Sequence, residues 1–185
     1  ASRAGLPPGS IVSMADSTGT VIARAPASPG IIGRKLKETA ARMGIELPPA
    51  PKPVAAYVPV RVAGNFAFVS GQLPFEGDAV SLVGRVGDDV SVEQAAAGAR
   101  RCALQALSAL RDALGSLDRV VGIAQLSVFV ASAPGFTKQP AVGNGASELL
   151  VELLGDAGRH ARIAVGVQEL PLGAAVEVAV VAVID

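Results

Sequence analysis

Two ionisable residues stand in segments that are otherwise almost wholly apolar. Arg162 opens the alternating stretch Arg162-Ile163-Ala164-Val165-Gly166-Val167. As a strand, this stretch puts Ile163, Val165 and Val167 on one face and Arg162, Ala164 and Gly166 on the other. An arginine beside two of the smallest side chains has free space in front of its guanidinium, and the planar fork suits bidentate contact with a carboxylate. Such a charge-assisted hydrogen bond contributes about 1.5–3 kcal/mol. A solvated strand arginine, or an ion-pair partner for Glu177, would account for the same residue. Glu177 interrupts the apolar run of residues 174–183. A carboxylate there is costly unless it is paired, at an edge or functional. Desolvated, it would exchange protons with water or substrate near neutrality; a structural ion pair would look the same.

Other reactive side chains are few. Ser70-Gly71-Gln72-Leu73-Pro74 ends an apolar segment with a small polar residue and a glycine turn. Backbone N–H groups there could receive an anion, although a plain turn has the same sequence. Tyr57 is the only tyrosine and reads as an amphipathic strand residue. His160, within Gly158-Arg159-His160-Ala161, reads as a solvated loop residue. Cys102 falls on an apolar helix stripe, where a free cysteine is typically buried and inert. One cysteine and one histidine exclude a disulfide framework and Cys- or His-rich metal clusters. No Ser/His/Asp arrangement, Walker-type glycine loop or Rossmann fingerprint is visible.

The elements that must position these residues follow from the apolar periodicity. Tyr57–Val62 and Phe66–Ser70 read as strands about the turn Ala63-Gly64-Asn65. A Gly-rich stretch, 71–87, leads to Ser91-Val92-Glu93-Gln94, a capping box that opens a helix running to Leu114, with Gly115 as its stop. Val120–Val130 is the next strand, followed by the connection Ser132–Pro140 and a helix over Gly145–Leu154. Ile163–Val167 and Val176–Ile184 are the last strands, joined through Leu170-Pro171-Leu172-Gly173. The order β-β-α-β-α-β-β predicts an α+β domain over residues 54–185, one mixed sheet with both helices on one face. Upstream, residues 31–43 read as an amphipathic helix with Ile32, Leu36, Ala40 and Met43 on its apolar stripe. A Pro-rich spacer follows to Pro53 and marks the domain boundary. Residues 1–30 have a Pro/Gly/Ser/Ala composition expected of a flexible tail, with Met14 as a candidate initiator.

Composition narrows the function classes. The 185 residues carry no formal net charge, and only 17% are charged, against about 25% in average domains. Neutrality argues against a generic polyanion binder, and 3% aromatics against a platform for stacked bases. The longest apolar runs, Val120–Ala131 and Ala174–Ile184, are too short to span a membrane, which needs about 20 residues. No sustained apolar run in the N-terminal segment suggests a signal peptide. A soluble cytoplasmic protein without membrane or nucleic-acid partners is expected.

Taken together, Phe66–Pro74 (FAFVSGQLP), the helix, the strand ending Val128-Phe129-Val130, and Arg162–Val178 (RIAVGVQELPLGAAVEV) resemble the RidA/YjgF family of reactive-intermediate deaminases. The resemblance covers about Val54 to Asp185. It implies a chorismate-mutase-like fold, a homotrimer with sites in the clefts between subunits, and no metal or organic cofactor. It also implies hydrolysis of enamine/imine intermediates such as 2-aminoacrylate to 2-keto acids and ammonia. Arg162 matches the arginine that grips the substrate carboxylate, and Glu177 the acid that positions or activates water. These two form the implied catalytic pair. Arg162, Tyr57, Ser70, Gly71, Ala164 and Asn144 form the implied substrate-binding set. The chain departs from the family in having Ala164 where cysteine is frequent, Ala55-Ala56 rather than Gly-Pro before the tyrosine, and a longer connection before Asn144. It therefore resembles a longer subgroup with an N-terminal helix. A non-catalytic module that binds small carboxylates is the alternative reading, and an endoribonuclease a third that neutral charge disfavours.

Overall fold

Strict alternation at Val176–Ile184 sets the layer plan. Val176, Val178, Val180, Ala182 and Ile184 are buried, while Glu177, Ala179, Val181 and Val183 between them point to the other face. The computed structural model describes residues 13–15, 21–24, 36, 38–50 and 56–185. Its strands are β1 (Ser13–Ala15), β2 (Val21–Arg24), β3 (Val60–Ala63), β4 (Phe66–Gln72), β5 (Phe75–Glu76), β6 (Ala79–Val80), β7 (Val120–Ala131), β8 (Ala161–Val167) and β9 (Val176–Ile184). The two long helices are α1 (Val92–Leu114) and α2 (Gln139–Leu154). Five strands form one mixed sheet in the order β3-β4-β9-β7-β8. All neighbours are antiparallel except β7 and β8, whose parallel pairing is bridged by the α2 crossover.

Both helices cover the face that carries the even-numbered residues of β9. Helix α1 starts with the expected capping box: Gln94 N–H donates to Ser91 Oγ at 3.2 Å and Ser91 N–H to Gln94 Oε1 at 2.9 Å. It ends at Gly115 with φ 74°. Its stripe Ala95, Ala99, Cys102, Ala103, Ala106 and Leu110 is buried against the sheet. A glycine lets the second helix come close. A Cβ on Gly145 of α2 would overlap the backbone carbonyl of Ala96 in α1, so this crossing requires glycine.

The structure departs from the expected boundaries in four places. Helix α2 begins at Gln139, six residues before Gly145, because Pro140 occupies the first turn, where its missing N–H costs nothing. Asn144 therefore lies on a helix, not on a loop. The Gly-rich stretch contains the hairpin β5–β6, turned at Gly77 (φ 61°). Tyr57 stands in a bend ahead of β3 and not in the strand. Upstream, β1 and β2 pair antiparallel within the segment whose composition suggested no regular structure.

Of the expected N-terminal helix, residues 36 and 38–42 are helical, while 31–35 and 37 lie outside the described residues. Leu36 and Ala40 are buried in the main core, whereas Met43 falls past the last helical residue and is exposed. The first part of the spacer is tied to the domain through Pro48, whose carbonyl accepts from Ser108 Oγ at 2.7 Å. Pro51 to Ala55 lie outside the described residues. Among the described residues, no helix is long and apolar enough to cross a membrane.

Candidate active site

Arg162 sits on the edge strand β8, and the register fixes its direction. It pairs with Leu126, as Ala164 does with Val128 and Gly166 with Val130, and all three β7 partners are fully buried under the helices. The Arg162 side chain therefore leaves the helix-covered face. The space expected beside Ala164 and Gly166 is taken by α2: a Cβ on Gly166 would lie 2.9 Å from Gln139 Nε2, and one on Gly143 would lie 3.4 Å from Arg162 Nη1. At the rim of that packing the guanidinium is exposed, and its Nη1 donates to Asn144 Oδ1 at 2.9 Å and Ser147 Oγ at 3.0 Å. No carboxylate pairs with it among the described residues. Two neutral acceptors orient the fork from one side and leave its charge uncompensated. A ligand carboxylate is what such a group is fitted to take.

Glu177 points the opposite way. It pairs with Phe129 on the face not covered by helices, in a row with Val165. Its carboxylate lies over Gly71 of β4, so closely that a Cβ on Gly71 would overlap Oε1. Glycine at this position is thus a matter of space, beside the β4–β9 register shift that separates Val69 from Gln72. Burial raises the Glu177 carboxyl above the usual carboxylate range. Ser70 lies next to Gly71, its Oγ donating to Val58 O at 2.8 Å. This ties β4 to the exposed segment that holds Tyr57.

The residues expected in one pocket thus fall into two groups. Tyr57, Ser70, Gly71 and Glu177 belong to the open side of the sheet and its β3–β4 end; Arg162, Ala164 and Asn144 belong to the α2 side of the far edge. Arg162 and Glu177 are not an ion pair, because the sheet lies between them. Asn144 touches Arg162 and holds it. Cys102 is fully buried, its thiol pushed well up by desolvation and then by the Glu177 charge, as suits an inert core residue. His160 is not the solvated loop residue expected. It is half-buried, with Nε2 3.0 Å from Ser147 Oγ and Nδ1 2.6 Å from the Gly158 carbonyl. Ser147 was missed altogether, although it follows Asn144 by three residues and so shares its helix face. No group of three or more potential metal ligands is present among the described residues.

A mixed five-stranded sheet with two helices on one face, together with the Ser-Gly-Gln and Arg/Glu signatures, defines a YjgF-like α+β protein. A family model described as YjgF/chorismate mutase-like, a proposed endoribonuclease, matches residues 37–184, and the chain belongs to this YjgF/RidA family. Protein TCP17 of Trypanosoma cruzi is 49% identical over 138 residues, covering 74% of this chain and 86% of that protein. Among solved structures, Atu1372 of Agrobacterium tumefaciens, a protein of unknown function, is 39% identical with a TM-score of 0.75, covering 83% of this chain and 94% of its own. RidA of the Antarctic bacterium Psychrobacter is 27% identical with a TM-score of 0.51, over 73% and 94% of the two chains.

Proposed function

We propose that this protein hydrolyses small enamine/imine acids of the 2-aminoacrylate kind to 2-keto acids and ammonia, at a cleft formed between copies of the chain in a homotrimer. The observation that carries the proposal is the separation of Arg162 and Glu177 on opposite faces of the sheet, each without a charged partner among the described residues. One copy cannot apply both to one small substrate. A neighbour seated against the open face brings its own edge to the first copy's Glu177. That face is rich in apolar side chains: Phe66, Phe68, Ile163 and Val165 are each 37–48% exposed in the single chain. Covering the exposed half of a side chain of this size contributes about 1 kcal/mol, and exposed patches of this sort mark interfaces.

In the proposed reaction the enamine first takes a proton from water at its β-carbon while the nitrogen lone pair forms the C=N bond and one N–H proton is lost to water, giving the imine. Arg162 binds the carboxylate and fixes the plane of the C=N bond. Glu177 accepts a proton from water as the water oxygen bonds to the imine carbon, and the C=N electron pair moves to nitrogen, which is protonated. The carbinolamine then forms a C=O bond as its hydroxyl proton is lost to water and the C–N bond breaks; the electron pair stays on nitrogen, which takes a proton and leaves as ammonia. Orientation and fixed charge supply the rate enhancement without a covalent intermediate.

The test is ammonia and pyruvate release from 2-aminoacrylate generated in situ by a dehydratase. Acceleration over the uncatalysed hydrolysis supports the proposal. Carboxylate-dependent thermal stabilisation without turnover assigns a binding module instead, and RNA cleavage lost with Arg162 and Glu177 assigns a nuclease. Gly71→Ala gives a narrower check. The new methyl meets only the movable end of Glu177, so the variant is expected to fold and melt near wild type. Displacement of the carboxylate should lower kcat/KM by about tenfold or more, since a misplaced general base forfeits much of its contribution.

A further inference from the structure

Arg162 is the end of a hydrogen-bonded chain that begins in the backbone. A carbonyl oxygen only accepts, so the 2.6 Å contact from the Gly158 oxygen puts the hydrogen of neutral His160 on Nδ1. Nε2 then carries a lone pair, and Ser147 Oγ, 3.0 Å away, donates to it. With its hydrogen committed, the Ser147 oxygen presents its lone pairs to Arg162 Nη1 at 3.0 Å. The anchor is rigid: Gly158 is buried, and a Cβ there would overlap the backbone carbonyl of Leu150 in α2. The relay therefore spans the turn after α2, strand β8 and helix α2, and it converges on one nitrogen of one guanidinium.

We infer that Ser147 and His160 are positioning residues that aim the Arg162 guanidinium at a ligand carboxylate, leaving its Nε and Nη2 edge free for bidentate contact. Fixing a flexible side chain before the ligand arrives lowers the ordering cost of binding. The inference rests on the proposed role of Arg162, and its specificity is for the carboxylate alone. Loss of the relay weakens binding of acids and leaves uncharged analogues unaffected.

The experiment is a double-mutant cycle read by calorimetric titration of the full chain with pyruvate, and with pyruvamide as the uncharged control. Ser147→Ala and His160→Asn should each weaken pyruvate binding about fivefold, the size expected for a net hydrogen bond lost beside a charge, with no change toward pyruvamide. Ser147→Thr should restore binding to within about twofold of wild type. In the Arg162→Ala background, Ser147→Ala should have no further effect, because the two act through one contact. In turnover of 2-aminoacrylate the single variants should raise KM and leave kcat nearly unchanged. The two variants lie on different elements, so either one that folds carries the test. If Arg162→Ala weakens pyruvate binding while Ser147→Ala and His160→Asn bind like wild type, the positioning role is wrong and the arginine's role stands. If Arg162→Ala itself leaves pyruvate binding unchanged, both are overturned.

Discussion

Arg162→Ala is expected to lower kcat/KM for 2-aminoacrylate by at least about 10- to 150-fold, the factor corresponding to one charge-assisted hydrogen bond. The structure gives the reason for the size. Arg162 is exposed at the sheet edge, has no carboxylate partner among the described residues, and spends only Nη1 on Asn144 and Ser147. Its removal takes away ligand contacts without stranding a buried charge, so stability should change little. Arg162→Lys keeps the charge but loses the fork and the fixed approach to Ser147; it should recover only part of the affinity. Steady-state kinetics on the three proteins, with thermal unfolding as a control, read all of this. An Arg162→Ala variant as active as wild type would remove the arginine from the site.

Glu177→Gln should cost more, about 100- to 10,000-fold in kcat, the range for a positioned acid–base group, and it should at the same time stabilise the protein at neutral pH. Desolvation raises the Glu177 carboxyl above its ordinary value of 4.5, so the fold favours the protonated form. The stability this contributes is fully present below pH 4.5 and is lost as pH rises through the raised value. At neutrality the ionised, half-buried carboxylate is a net cost, which an uncharged amide of the same shape avoids. The melting curves of wild type and Glu177→Gln should therefore lie apart near pH 7, with the variant higher, and converge in acid. Activity of the wild type should rise with pH through the same raised value, because the base must be ionised. A variant that melts lower at neutral pH would mean that the charge a neighbouring copy brings to Glu177, Arg162 above all, outweighs the desolvation.

Much of the architecture was legible because apolar period and capping chemistry agree. Alternation over Val176–Ile184 and the Ser91–Gln94 box require no tertiary information. The start of α2 was not legible. Gly143 and Gly145 lower helix propensity, yet Gly145 is there because the Ala96 backbone comes too close for any side chain, and a Cβ on Gly143 would touch Arg162 at ordinary contact distance. That misplaced boundary hid the shared face of Asn144 and Ser147, and with it the partners of Arg162. The candidate site was legible as a set of residue types but not as an arrangement. Alternation says that Arg162 and Glu177 each leave an apolar strand; only the β7 register, which pairs Leu126 with Arg162 and Phe129 with Glu177, shows that they leave by opposite faces.

That opposition makes subunit complementation the most direct measurement. Co-expression of Arg162→Ala and Glu177→Gln chains with different tags, followed by purification of mixed oligomers, joins intact Arg162 from one chain to intact Glu177 from the other. In a closed trimeric ring that contains both chains, about one interface in three carries both native residues. Purified mixed trimers should therefore regain about a third of wild-type ammonia release from two nearly inactive parents. Mixed oligomers no more active than the parents would contradict a site built from two copies of the chain.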